Sequence, residues 1–261
     1  MRQMLKALLL ILVTVALLTW PVLFPVATLA DDPGSVADHL VISEVQIKGD
    51  GDTQHDFIEI YNPTSGQIDL GDYNLRKIAS TGTESSIKSP IASSGTYIQP
   101  GGFYLWASSA DNTYPTTIKA DVSTTYEIAA NSAVAIVRRA DGMVIDGVGW
   151  GSVHSNAINS GYCETQPYPT NPGDGQSLQR KVSDTTDEDG AHGPAWDTDN
   201  NSADFFIQDS PNPQNSGSDP LPPTAELPTI ILFSAGLIAL ATFLVLKRHK
   251  RVKVIESHPS P

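Results

Sequence analysis

Between residues 39 and 148 the chain is written in short runs where apolar and polar residues alternate. A period of two belongs to strands with a buried face, not to helices. His39 to Ile47 (HLVISEVQI) sets Leu40, Ile42 and Glu44 on one side and Val41, Val45 and Ile47 on the other. Phe57 to Tyr61 sets Ile58 and Ile60 against Phe57, Glu59 and Tyr61. Lys48-Gly49-Asp50-Gly51-Asp52 between them is turn chemistry, and Asn62-Pro63 stops the second run because proline cannot donate to a ladder. Further runs follow at Ile68 to Leu70, Tyr73 to Arg76, Tyr97 to Gln99, Phe103 to Ala107, Ala133 to Arg138 and Met143 to Val148. The last two flank Asp141-Gly142, a strong hairpin signal. No stretch between residues 31 and 224 keeps a helical stripe, so the expected fold is all-β, an antiparallel sandwich.

Both ends are apolar. Arg2 and Lys6 precede the run Leu8 to Leu18, and Thr28-Leu29-Ala30 supplies small residues before Asp31. That order predicts a secretory signal peptide over 1–30 with cleavage after Ala30; an uncleaved anchor is the alternative. Near the other end, Leu227 to Leu246 is followed by KRHKRVK. Twenty residues at 1.5 Å each cover about 30 Å, so 227–246 reads as a transmembrane helix with a basic cytoplasmic tail at 247–261. Residues 209–226 are rich in Pro, Ser and Asp and are expected to form a spacer. They end in Leu221-Pro222-Pro223-Thr224-Ala225. Followed by an apolar run and positive charges, this resembles a sortase cell-wall sorting signal, with Ala225 where Gly is usual. The resemblance implies a sortase as partner and cleavage after Thr224; a Pro-rich stalk is the alternative. The expected location is the cell surface, with single-pass membrane or wall attachment and the carboxyl end cytoplasmic before any processing.

Charge narrows the partners. Nine Lys and Arg stand against twenty-seven Asp and Glu between Asp31 and Thr224, and the whole chain carries a formal −13. Such a surface repels phosphate backbones, so nucleic acid is excluded as a partner. Cys163 is the single cysteine, so no internal disulfide can form. No period of 20 to 50 residues recurs, which rules out solenoids.

Over residues 38–151 the pieces VISEV, DFIEIYNP, IDLGDYNLR, IQPGGFYLWAS and NSAVAIVRRADGMVIDGVGWG occur in order. Together they resemble the lamin tail domain, in its exported prokaryotic form. The resemblance implies an immunoglobulin-like antiparallel β-sandwich over 31–151. It also implies that GQSLQRK and DTDNNSADFFIQDSPNPQNSG belong to the tail such members carry after the sandwich, with a C-terminal extension over 152–208 running on into the linker. In that frame Ile58 and Ile60 fill the core and Asn62 closes a turn through its side chain.

Candidate sites are few. Glu44 and Glu59 fall in neighbouring strands and pair two carboxylates; the expectation is structural groups, solvated or bonded to backbone, with no loop framing a pocket. Three acidic clusters have the oxygen ligands calcium prefers: Asp50/Asp52/Asp56, Asp184/Asp187/Glu188/Asp189 and Asp197/Asp199/Asn201/Asp204. The last is the best, yet Ser202 and Gln208 stand where the calcium-loop template wants Gly and Glu. Ca²⁺ on that cluster is therefore the single cofactor candidate. Cys163 with His154 carries no catalytic motif, and no other standard signature is present. Asn200-Asn201-Ser202 matches a glycosylation sequon, and Trp106, Trp150 and Trp196 read as packing residues. The reading is a non-enzymatic surface protein that presents its sandwich to extracellular protein or glycan, chiefly through the loops Thr81 to Thr96 and Ala110 to Thr125. The alternative is an accessory or catalytic module of a hydrolase or nuclease, with Glu59, Asp146 or the Asp197 cluster in a cleft.

Overall fold

The computed structural model describes residues 35–223, apart from 50 and 53. In chain order the strands are β1 (Ser35–Val36), β2 (Val41–Gln46), β3 (Phe57–Tyr61), β4 (Ile68–Asp69), β5 (Tyr73–Ile78), β6 (Glu84–Lys88) and β7 (Tyr97–Ile98). Then come β8 (Phe103–Ser108), β9 (Val122–Thr124), β10 (Ala133–Arg138), β11 (Val144–Gly149), β12 (Ser177–Arg180), β13 (Trp196–Asp197) and β14 (Phe205–Gln208). Three short helices, α1 (Tyr114–Thr117), α2 (Ser155–Asn159) and α3 (Asn201–Asp204), lie in the connections. A four-stranded sheet in the order β11-β10-β5-β6 stacks on a six-stranded sheet in the order β14-β12-β2-β3-β8-β9. The pairs β1-β13 and β4-β7 close the ends.

The period-two reading places the core well. Ile58 and Ile60 of β3 and Trp106 of β8 meet Val134, Ile136 and Val148 of the facing sheet in one cluster. Asn62 closes its turn as expected, accepting from Thr64 N at 3.0 Å and donating to Gly66 O at 2.8 Å. The Asp141-Gly142 turn, with Gly142 at φ 75°, joins β10 and β11 into an antiparallel hairpin.

Strand β2 departs from simple alternation. Its pairing with β3 runs Ile42↔Ile60 and then Glu44↔Glu59, so Ser43 is an extra residue and forms a bulge. The bulge reverses every face after it. Leu40, Ile42, Val45 and Ile47 all enter the core, while Glu44 turns away from Leu40 and Ile42, the neighbours expected for it.

Two other expectations are corrected. The sheet is not wholly antiparallel, because β9 runs parallel to β8 along the edge. Nor is residues 209–223 a free spacer. Leu221 packs against Val41, Tyr61 and Phe103, its N–H donates to Gly101 O at 2.9 Å, and Gly193 N donates to Pro222 O at 2.8 Å. Prolines at 220, 222 and 223 have no N–H to satisfy, so the segment docks through its carbonyls and one leucine. Gly101 is required here: at φ +69° a Cβ would stand 2.6 Å from the Leu221 carbonyl oxygen.

Among the described residues no helix is long and apolar enough to cross a membrane. The signal-peptide reading with Ala30, the run Leu227 to Leu246, the basic tail, and Thr224 and Ala225 of the sorting-like motif all lie outside the described residues.

Candidate functional site

A two-layer sandwich ordinarily leaves the outer face of each sheet wet. Here β2, β3 and β8 are buried along their whole length. At one end of the outer face Phe57, Leu105 and Ala107 are covered by Tyr114 of α1 with Ile118 and Ala120. At the other end Val41, Tyr61 and Phe103 are covered by Ala37, Ala195 and Leu221. Between the two apolar seals lies a polar cavity of about 550 Å³, with Glu44 and Glu59 in its lining. Its walls are the 187–194 segment, the β12 residues Gln179 and Arg180, and the tail from Gln208 to Leu221. The carboxyls expected to be solvated or backbone-bonded, with no pocket around them, are thus 2% and 1% exposed and line one chamber. Neither loop expected to face a ligand, 81–96 or 110–125, lines it.

The bulge at Ser43 is what builds this pair. It sets Glu44 directly across from Glu59 on the outer face, and directly opposed residues hold their Cβ atoms about 4.5–5.5 Å apart. Glu59 accepts from Ser43 Oγ at 2.6 Å and from the Gln214 backbone N–H of the tail. Glu44 accepts from Ser177 Oγ through Oε1. No donor meets its Oε2 among the described residues, and Glu44 lines the cavity. No hydrogen bond joins the two carboxyls, and no Lys, Arg or His pairs with either. Burial is the main force on both. It lifts Glu59 to about 7, and burial together with the Glu59 charge lifts Glu44 well above the carboxylate range. At neutral pH the pair holds protons that solvated glutamates would have lost.

A second buried cluster sits on the inner side of the same strand. Arg180 is fully buried; its Nη2 meets Asp146 Oδ1 of the facing sheet at 2.8 Å and its Nη1 lies 3.4 Å from Asp197 Oδ1. Both members also hold the backbone beside the bulge. Arg180 Nε donates to Ile42 O at 3.1 Å, and Ile42 N donates to Asp146 Oδ2 at 2.5 Å. The guanidinium lies 4.6 Å over the Phe205 ring. His39 completes the group, with Nε2 3.4 Å from Asp197 Oδ2. Burial alone would lower His39; the Asp197 bond and the charges of Asp146 and Asp197 overcome it and bring the imidazole to about 9.

The four residues picked out for calcium do not converge. Asn201 is buried as a brace, donating to Gly147 O at 2.9 Å and Glu164 Oε2 at 2.7 Å and accepting from Gly149 N at 2.9 Å. Asp204 accepts from Thr198 N and Oγ1 and from Asn200 N, closing its own turn. Asp197 and Asp199 do come within 4.8 Å of each other and of Glu164, but Asp197 is already committed to Arg180 and His39. A second cation beside that guanidinium is disfavoured, so this donor set does not fit Ca²⁺.

Of the other clusters, Asp52 and Asp111 flank His55, whose Nε2 lies 2.8 Å from Asp111 Oδ2 and whose ring stacks on Tyr114 at 4.2 Å. Asp56 is buried elsewhere: Oδ2 accepts from Ile128 N at 2.7 Å, Oδ1 has no partner, and burial pushes the carboxyl up to about 8. Asp189 pairs with His192 at 2.6 Å, and Glu188 accepts from Gln208 at 2.9 Å on the cavity wall. Cys163 and His154 are not a catalytic couple. The thiol is buried and raised to about 12, chiefly by that burial, while His154 Nδ1 caps α2 by accepting from Asn156 N at 3.1 Å. Trp106 and Trp150 are fully buried with their indole N–H groups bonded, and Trp196 is 8% exposed.

Residues 33–152 match the Lamin Tail Domain family. No curated protein matches the chain. Among solved structures the chain is similar to the crystal structure of a DUF4876 family protein from Bacteroides thetaiotaomicron VPI-5482. The two are 14% identical with a TM-score of 0.47, over 71% of this chain and 73% of that one. Residues 33–152 therefore form a lamin-tail-like β-sandwich domain, and β12 and β14 are added to its larger sheet from beyond the matched segment.

Proposed function

We propose that this chain is a non-catalytic cell-surface protein whose sandwich is held outside a membrane and recognises an envelope protein or glycan through the cavity over Glu44 and Glu59. The chamber itself carries the reading: a polar floor between two apolar seals, walled by segments that the tail contributes. Recognition sites are concave and place a few polar groups at defined points, as this one does. Export and tethering rest on the sequence of the two ends, with cleavage after Ala30 and retention through Leu227 to Leu246 or through a sortase acting at Leu221 to Ala225. Function here lives in the chamber and not in the sandwich type.

The full chain incubated with washed cell envelopes is expected to be retained, and Gln179→Trp, which fills the cavity from β12, is expected to lose retention. Equal retention of both proteins overturns the proposal. Mass spectrometry of the mature ends tests export, with Asp31 expected as the first residue.

A second reading has one observation in its favour. Two buried carboxyls with raised proton affinity are the raw material of glycoside hydrolysis, where one protonates the leaving group and its neighbour attacks or activates water. Release of reducing sugar from envelope polysaccharide by the wild type and not by Glu59→Gln would establish it.

A further inference from the structure

We propose that the cavity takes its ligand through a primary ammonium group seated between Glu44 and Glu59, an assignment that rests on the recognition reading above. Three features of the chamber lead there. The carboxyls oppose each other across one ladder step, lack a bond between them, and leave Glu44 Oε2 without a donor among the described residues. The walls offer chiefly amides and acids, with Gln179, Glu188, Asn212 and Gln214 among them, so they suit a ligand rich in N–H and O–H donors. No Lys, Arg or His pairs with either carboxyl among the described residues, and the charge is left for a ligand to neutralise.

A metal ion fits less well. Three or more His, Cys, Asp or Glu ligand atoms gather elsewhere among the described residues, but not around this pair, and Ca²⁺ wants six or more oxygens. Proton affinity agrees with a univalent guest. With one of the two carboxyls protonated the pair carries one negative charge, which an ammonium neutralises with its three donors. A bound ammonium favours the ionised form of the pair and so lowers its proton affinity. The other titratable groups facing the chamber are Arg180 from β12, Asp187, Glu188 and His192 from the neighbouring segment, and Asp219 from the tail. Arg180 and His192 are already held by Asp146 and Asp189.

Calorimetry on the full chain at pH 7 tests this with two amines, Nα-acetyl-lysine amide and glucosamine, each beside its N-acetylated twin, and with Ca²⁺. At least one amine is expected to bind about tenfold or more tighter than its acetylated twin. The lysine derivative binding alone points to a protein source, and glucosamine binding alone points to a glycan. Glu44→Gln is expected to weaken the amine about tenfold or more without lowering the melting temperature. Independently of any variant, carboxyl NMR should show the amine lowering the titration midpoint of the pair. Amines binding no better than their acetylated twins, or Ca²⁺ binding while both amines fail, overturns the assignment. If envelopes retain the chain while neither amine binds, the ammonium assignment alone falls. If an amine binds but envelopes do not retain the chain, the envelope-recognition reading falls instead.

Discussion

Strand β2 separates two buried charge clusters that are treated in opposite ways. On its inner side Arg180, Asp146, Asp197 and His39 form a compensated set, with each carboxylate facing a cation and the Arg180–Asp146 pair also satisfying the backbone at Ile42. On its outer side Glu44 and Glu59 face each other with hydroxyls and one backbone N–H as their donors and no cation. The bulge at Ser43 serves both, since it offers the Ile42 backbone to one cluster and turns Glu44 into the other. A buried charge that meets a permanent counter-charge is a structural joint. One that meets its own kind keeps a proton and remains open to exchange.

The largest expected effect comes from breaking the compensated side. Arg180→Ala leaves Asp146 and Asp197 buried without their cation and should cost about 3–5 kcal/mol in chemical denaturation. The double variant Arg180→Met with Asp146→Leu should recover only part of that loss, because the Ile42 backbone and Asp197 still lose their partners. A loss under about 1 kcal/mol for Arg180→Ala would make the two clusters equivalent and remove the contrast.

The uncompensated side should behave in the reverse sense. Glu44 and Glu59 have folded proton affinities raised above those of unfolded glutamate, so the folded state binds more protons. Their contribution is fully present below about pH 4.5 and is lost as pH rises through about 7 for Glu59 and higher for Glu44. His39 acts in the same direction, losing its contribution as pH rises from 6.5 through about 9. The melting temperature should therefore fall between pH 5 and pH 8. Glu44→Gln should flatten that fall, gaining about 1–2 kcal/mol at pH 8 and little at pH 5. A melting temperature that rises with pH over this range would contradict the raised affinities.

Asp56 sharpens the comparison with a single carboxyl, since Oδ1 has no partner and the folded value is about 8. Asp56→Asn, keeping an acceptor for Ile128 N, should add about 1 kcal/mol at pH 8 and nothing at pH 4. Gly101→Ala adds left-handed strain at φ +69° and sets a methyl group against the Leu221 carbonyl, so it should cost about 1 kcal/mol and make residues 209–223 quicker to cut in limited proteolysis.

Much of the sandwich was legible because β3 runs into Asn62-Pro63 and β10 and β11 flank Asp141-Gly142. Ile58 and Ile60 follow from period two, whereas β8 and β10 are nearly continuous apolar runs that mark strands buried on both faces without saying which side meets the core. What escaped has identifiable causes. Strands β12 (SLQR) and β6 (ESSIK) each carry one apolar residue, so only their neighbours make them strands. The bulge is invisible in the sequence, because an extra Ser43 leaves both faces of β2 apolar before it and mixed after it. Without the bulge Glu44 belongs to the core side, and its meeting with Glu59 on the floor of a cavity cannot be foreseen. The chamber also depends on the tail docking back, and a stretch rich in Pro, Ser and Asp reads as unattached. A signal was there in part: Leu221 is apolar within a run that is otherwise polar or proline. Side-chain spacing also says nothing of prior commitments, and Asn201, Asp204 and Asp197 of the acidic cluster are engaged by the fold itself.

The docked tail also decides how this molecule carries load. A pull on the chain beyond residue 223 is felt first by Pro222 at Gly193 and Leu221 at Gly101, next by Ser216 at Asp121, and then by Gln214 at Glu59. Those bonds open one after another while the ten strands of the two stacked sheets stay shut. Traction is therefore expected to strip the wall from the chamber before it stretches the sandwich.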